Sequence, residues 1–474
     1  MKGDFTRKTF DSRNHYSRVL MQQGRVTVDA DPNEQTDILL HYLRTLATDI
    51  IGPYAAPAVG GGFQLSANAD GKLMIGGGRY YVDGVLIENQ DTCLYSAQPY
   101  YPAPADDVLV KEMADATGKT YWAYLDVWER HLTYLDDDSM REVALGGPDT
   151  CSRSQVVWQV KALPVADSTT GITPACTDPL SGLMPLGSGL AARVDPGYQS
   201  SDPCVLSPEA KYRGTENHLY RVEVHHGGNA AQATFKWSRE NGSVAASWLG
   251  SEGQNLIVST GRGFVAGCWV EITTEADDLL GQPGVLVQLT KVEGAALSVD
   301  PAAVLPSWSE TLVDPKVRRW DQKQIGDILL SAGAVPVTES SPTDPAWIDL
   351  EDGIQIQFQA AGQYVIGDYW LIPARVATGD IEWPKQNGVS QFEPAEGIEH
   401  HYAPLGFVKW DGKNLRLKSC RCEFDPLSSC FSSIGSLAVG AELLRKRTDE
   451  VPATSLNAAT GGATPVKRAA RRKQ

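Results

Sequence analysis

No stretch of this chain runs to about 18 apolar residues, so none is expected to cross a bilayer as a helix. The opening MKGDFTRKTFDSRNHY mixes charges with polar residues and lacks the apolar core of a secretory signal, which predicts cytoplasmic synthesis. Cysteine is sparse, with 8 in 474 residues at irregular spacing, and this predicts mostly free thiols in a reducing compartment. Basic residues are outnumbered, 42 against 58 acidic, and the net charge of −16 argues against a general nucleic-acid binder. The exception is the closing VKRAARRKQ, with Lys467, Arg468, Arg471, Arg472 and Lys473, which reads as a disordered basic tail over 448–474.

No repeat of fixed period is present, which weighs against propellers and solenoids. A Gly-x-Ser-x-Gly nucleophile elbow is also missing. Neither Gly60-Gly61-Gly62 nor Gly76-Gly77-Gly78 is followed by Lys-Ser/Thr and a helix, so these are turns or bulges and not phosphate loops.

What the chain does have is 45 Gly and 28 Pro, which suit many short strands joined by turns. The expected fold is mainly β: a multi-sheet β-rich body with one long N-terminal amphipathic helix and an inserted small β-barrel or sandwich. The helix follows an extended segment, with Asp31 expected as N-cap, Pro32 as first helical residue and Glu34 as capping-box partner. Ile38, Leu39, Tyr42, Leu43, Leu46, Ile50 and Ile51 recur at three- and four-residue spacing, so one apolar face is expected to cover a sheet. Gly52-Pro53 ends the run.

Domain boundaries follow composition: 1–52 extended segment and helix, 53–163 first part of the body, 164–216 a Pro/Gly/Ser-rich loop, 217–312 the inserted module, 313–447 the rest of the body with a short helix at Leu437–Arg447. Within the body, Asp83-Gly84 marks a two-residue hairpin pairing Val82 with Val85 and Arg79 with Glu88. Residues 120–134 read as a central strand apolar on both faces, with 154–163 as its neighbour. Asn241-Gly242 asks for a type I′ turn, and a hairpin there sets Phe235 opposite Trp248 and Trp237 opposite Ala246. A turn at Asp411-Gly412 sets Trp410 opposite Lys413 and Val408 opposite Leu415.

Few residues suggest chemistry. His225-His226 and Glu399-His400-His401 invite a metal, but neighbours on a regular strand point to opposite faces. Cys420, Cys422 and Cys430 include a same-face pair and lack a clear fourth ligand for zinc, so buried thiols are expected. The acidic runs Asp136-Asp137-Asp138 and 275–278 lack a calcium-loop pattern. No catalytic residue, cofactor or metal is expected. Phe235, Trp237 and Trp248 share one face of the expected hairpin and could stack on sugars, although strand aromatics are more often core.

The opening MKGDFTRKTFDSRNHYSRVLMQQGRVTVDADPNEQ, then ATFKWSRENGSV, DPKVRRWDQ, GDYWLIPARVATGDIEWP and GIEHHYAPL resemble an uncharacterised bacterial family whose members occur in gene clusters for phage-tail-like contractile injection systems. The resemblance covers about residues 1–430. It implies a non-enzymatic structural component at the baseplate or a fibre attachment, oligomeric in an assembly with other particle subunits and released with the particle. GGGRYYVDGVLIEN is similar to hairpins of phage baseplate and tail-fibre proteins. The other reading is a carbohydrate-binding or carbohydrate-active protein recognising a cell-surface glycan through the aromatics of the inserted module.

Overall fold

The long strand Thr120–Leu132 is buried along nearly its whole length, as a run apolar on both faces requires. It lies between Arg153–Pro164 and His401–Trp410 in an antiparallel sheet completed by Leu415–Ser419. The computed structural model describes residues 1–104, 106–115, 118–147, 149–165, 175–177, 180, 187–197, 211–326, 328–341, 343, 345–410 and 412–426. Met1–Phe424 is one compact unit, and Asp425–Gln474 is a second. The helix expected at Leu437–Arg447 and the basic tail lie outside the described residues.

A second sheet packs against the first. It contains the hairpin Gly78–Val82 and Val85–Asn89, with Tyr54–Pro57 on its other side and Glu423–Phe424 pairing in parallel at the edge. The Asp83-Gly84 turn forms as expected, with Val82 facing Val85 and Arg79 facing Glu88. Tyr80, Val82, Val85 and Ile87 enter a core with Phe63, Leu125, Val127, Trp158 and Leu405.

A third sheet runs Val335–Pro336, Thr234–Ser238, His218–His226, Tyr369–Arg375, Asp380–Ile381. Its inner face meets a four-stranded sheet in which Gly189–Val194 pairs with Ile354–Phe358 and Glu393–Pro394. The stretch 164–216, expected as a loop, therefore contributes a strand, because Gly-Leu-Ala-Ala-Arg-Val is apolar enough to be covered on both sides.

The inserted module is a closed six-stranded barrel formed from Ala245–Glu252, Asn255–Val258, Trp269–Thr273, Val285–Glu293, Ala296–Val299 and Lys316–Trp320. It is narrower than the expected 217–312, since His218–His226 and Thr234–Ser238 belong to the third sheet. Asn241-Gly242 is where the chain changes sheets. Both residues have positive φ, 48° and 62°, and Ser243 N donates to Glu240 O at 2.9 Å, so the turn is of the expected kind. The strands it joins do not pair: Thr234–Ser238 pairs with His218–His226, and Ala245–Glu252 pairs with Lys316–Trp320. Turn chemistry set the local bend, while tertiary pairing chose the partners.

Smaller corrections share that cause. The connection after Trp410 holds four residues, so Trp410 faces Leu415 and Val408 faces Leu417, a shift of two that keeps both faces. Asp411 itself lies outside the described residues.

The long helix spans Ala30–Ile51 and starts earlier than expected. Asp29 holds the cap position without a side-chain capping bond, because its carboxylate accepts from Thr6 N and Thr6 Oγ1 at 3.0 and 2.5 Å. Asp31 is therefore inside the first turn, where its carboxylate accepts from Val28 N at 3.4 Å, and Pro32 follows it. Glu34 accepts from Thr9 Oγ1 at 2.6 Å, so no capping box forms. Gly52 ends the helix, its N–H bonded to Thr48 O at 2.8 Å.

The hairpin turn reaches the helix at Gly84, where φ is +77° and a Cβ would drive into the backbone carbonyl of Arg44. Only glycine meets both demands. We expect Gly84→Ala to lower unfolding stability by about 1–3 kcal/mol. Hydrogen exchange should show the loss of protection concentrated in Ala30–Ile51.

Candidate functional site

The helix does not cover a sheet with its apolar face. Ala30 and Ile38 are its only buried residues, while Leu39, Tyr42, Leu43, Leu46 and Ile50 are each more than half exposed. The polar face turns inward instead: Asn33, Glu34, Asp37, His41, Arg44 and Thr48 line a cleft of about 1730 Å³ between the helix and the body. Arg44 closes one side through an ion pair with Glu129 at 2.8 Å. The amphipathic pattern is as read, but it is inverted in use.

The segment before the helix divides into two parts. Residues 1–9 are stitched to the body: Lys2 pairs with the buried Glu223 at 3.0 Å, Asn241 Nδ2 donates to Gly3 O at 2.9 Å and Arg375 Nη2 donates to Thr6 O at 3.0 Å. From residue 12 to 28 the chain is almost wholly exposed, turning where Arg25 N donates to Gln22 O. Tyr16, Leu20, Met21 and Val26 stand in solvent, and Val19 N donates to Gln35 Oε1 of the helix at 2.9 Å.

Across the cleft from the helix, Asp126 accepts from His400 Nδ1 at 2.6 Å and from Lys161 Nζ at 2.7 Å. Burial opposes its charge, but the imidazole and the ammonium together hold its carboxyl below the ordinary range. An ionised carboxylate only accepts, so Nδ1 of His400 carries the proton and Nε2 is left without a bond among the described residues. The ring is gripped by Trp128 at 5.0 Å and by the nearly parallel Tyr402 at 6.0 Å. His401 turns to the other side and bonds Asp83 at 3.0 Å. Asp368 also lines the cleft; burial pushes its carboxyl up to about 6, against the pull of His400. The arrangement offers an oriented base beside a carboxyl that stays protonated into mildly acidic pH. Among the described residues no Ser, Thr or Cys side chain hydrogen-bonds His400.

Residues 1–177, 185–253 and 259–473 match the model of a family described as "Family of unknown function (DUF6519)". The chain belongs to DUF6519. Neither a curated protein nor a solved structure matches it.

The aromatics read as a sugar-stacking row in this DUF6519 chain are core. Phe235 and Trp237 are fully buried in the third sheet and Trp248 in the barrel. The hairpin meant to display them does not form. Asn241 instead anchors the N-terminal segment, and Gly242 O accepts from Arg318.

The metal candidates separate in similar fashion. A β-bulge after Val224 breaks the alternation and brings the His225 and His226 rings to 4.5 Å. Burial and the nearby Lys236 push His225 down to about 3, so it is neutral. Cys420 is bonded to Cys176 in a disulfide spanning 244 residues, against the expectation of free thiols there. Cys422 is free and exposed, and Cys430 lies outside the described residues. Both acidic runs are spent on the protein's own cations: Asp136 and Asp278 pair with Lys316 at 2.5 and 2.7 Å, and Glu275 with Arg130 at 2.7 Å. Among the described residues no group of three or more His, Cys, Asp or Glu is placed to hold a metal.

Sequence reading missed Asp126 and Asp368. Asp126 meets His400 across 274 residues, and only strand pairing brings them together. The one local signal is an acidic residue flanked by the apolar run Tyr121–Leu125 and by Val127-Trp128, which demands a partner once buried.

Asp368 gives a pH test. Its raised folded value means that ionising it costs stability as pH rises from the ordinary carboxylate range near 4 towards about 6, with the full cost above that window. Asp368→Asn should therefore stabilise the protein at pH 8 by about 1–3 kcal/mol, with the gain vanishing below about pH 4. Urea unfolding at the two pH values checks this.

Proposed function

We propose that this chain is a non-enzymatic structural subunit that docks on other protein through its N-terminal segment and the outward face of its helix. The observation that carries the reading is the inverted helix: five large apolar side chains face solvent while the polar face is kept inside. Covering apolar surface is worth roughly 25 cal/mol per Å², so leaving such a stripe bare forgoes several kcal/mol that a partner would recover. The stitched residues 1–9 hold the adjoining exposed segment at a fixed place, which lowers the entropy cost of docking.

The assembly we propose is the phage-tail-like contractile particle implied by the sequence resemblance, with the subunit at the baseplate or a fibre attachment. Glycan recognition loses its support, since Phe235, Trp237 and Trp248 are covered by protein. The cleft with Asp126 and His400 remains a polar binding site that this role does not require.

Leu43→Asp with Leu46→Asp tests the reading in the native host. Both positions are exposed, so thermal unfolding should stay within about 0.5 kcal/mol of the parent. The variant should be absent from purified particles by mass spectrometry while remaining folded in the lysate. Normal incorporation would sink the docking role of this face, and absence of the parent chain from particles would sink the particle assignment.

A further inference from the structure

We infer that the outward stripe of Ala30–Ile51 pairs with the same stripe of a second copy, antiparallel about a two-fold axis. The inference deepens the assembly reading and rests on the same exposed face. Three observations carry it. First, the stripe is self-complementary. With the axis between Arg44 and Thr45, Leu39 falls opposite Ile50, Leu43 opposite Leu46, and the large Tyr42 opposite the small Ala47. Each pair then repeats across the axis, as an isologous contact demands. The spacing of three and four residues forms the ridge that helix pairs interdigitate.

Second, charge favours this face. The chain carries −16, so two copies repel over most of their surfaces, but Leu39, Tyr42, Leu43, Leu46 and Ile50 include no ionisable carboxylate or ammonium.

Third, the area suffices. The five stripe residues with Tyr16, Leu20, Met21, Val26 and Val28 are each at least 40% exposed. Together they offer on the order of 1,000 Å² per copy, against about 800 Å² per partner in a stable interface.

Full-length protein at micromolar concentration is examined by light scattering after size exclusion. The expected mass is twice 51.3 kDa. Leu43→Asp alone and Leu46→Lys alone should each weaken the dimer by at least about thirtyfold in Kd. Because position 43 faces position 46 of the other copy, mixing the two variants should restore a dimer containing one of each. A monomeric parent overturns the second copy as occupant. If Leu43→Asp were then also lost from particles, a different subunit would be the partner and the assembly reading would stand. Dimers unaffected by either substitution, or no rescue on mixing, place the contact elsewhere and overturn the inference.

Discussion

A buried chain of alternating charges holds the barrel to the rest of the protein. Glu223 on His218–His226 forms an ion pair with Lys236 at 3.2 Å, and Lys236 reaches across to Glu271 in the barrel at 2.5 Å. Glu271 also accepts from Trp320 Nε1 at 2.9 Å and Gly284 N at 3.1 Å. Burial works against its charge, yet Lys236 and Lys2 hold its carboxyl down at about 2. Removing any member would strand an unpaired charge in the interior, at a cost of about 3–5 kcal/mol. These pairs tie the sheet, which carries Glu223 and Lys236, to the barrel, which carries Glu271. Arg221 extends the chain on one side and Lys2 on the other, so residues 1–9 are tied into the same network.

That tie explains how the outer surface is organised. With Lys2 and Gly3 fixed at the sheet–barrel junction and Thr6 and Thr9 bonded to the start of the helix, the helix is suspended over the body and not pressed into it. Beyond the buried Ala30 and Ile38, its inner contacts are polar: Arg44 to Glu129, and the Gly84 turn against the Arg44 carbonyl. A helix held by one ion pair, a backbone contact and the buried Ala30 and Ile38 leaves the rest of its apolar stripe outside. The stripe is thereby left exposed, and the space below the helix becomes the polar cleft that Asp126, His400 and Asp368 line.

The parts of the fold legible in the sequence were those set by neighbours along the chain. The Asp83-Gly84 hairpin formed in the predicted register, because a turn needing two positive φ values and a buried Tyr80/Val82/Val85/Ile87 face agree on one pairing. Thr120–Leu132 was recognisable as a doubly covered strand from the apolar residues on both of its faces. At Asn241-Gly242 the same turn signal was right about backbone and wrong about partners, since nothing local says whether a bent chain returns beside itself or enters another sheet. For the candidate site little was visible: Glu399-His400-His401 drew notice, but the Asp126 that orients His400 is 274 residues away.

By itself, then, the sequence determined the mainly β class, a long amphipathic N-terminal helix, the turn conformations at Asp83-Gly84 and Asn241-Gly242 and the acidic balance of charge, because periodicity, glycine geometry and charge act within a few residues. Only the tertiary structure decided which way the helix faced, that the aromatics Phe235, Trp237 and Trp248 were interior, that Cys176 met Cys420, and that the barrel spans Ala245 to Trp320. Each of these depends on contacts between segments far apart in the chain, where the outcome follows from which surfaces can be covered together and which buried charges must find each other.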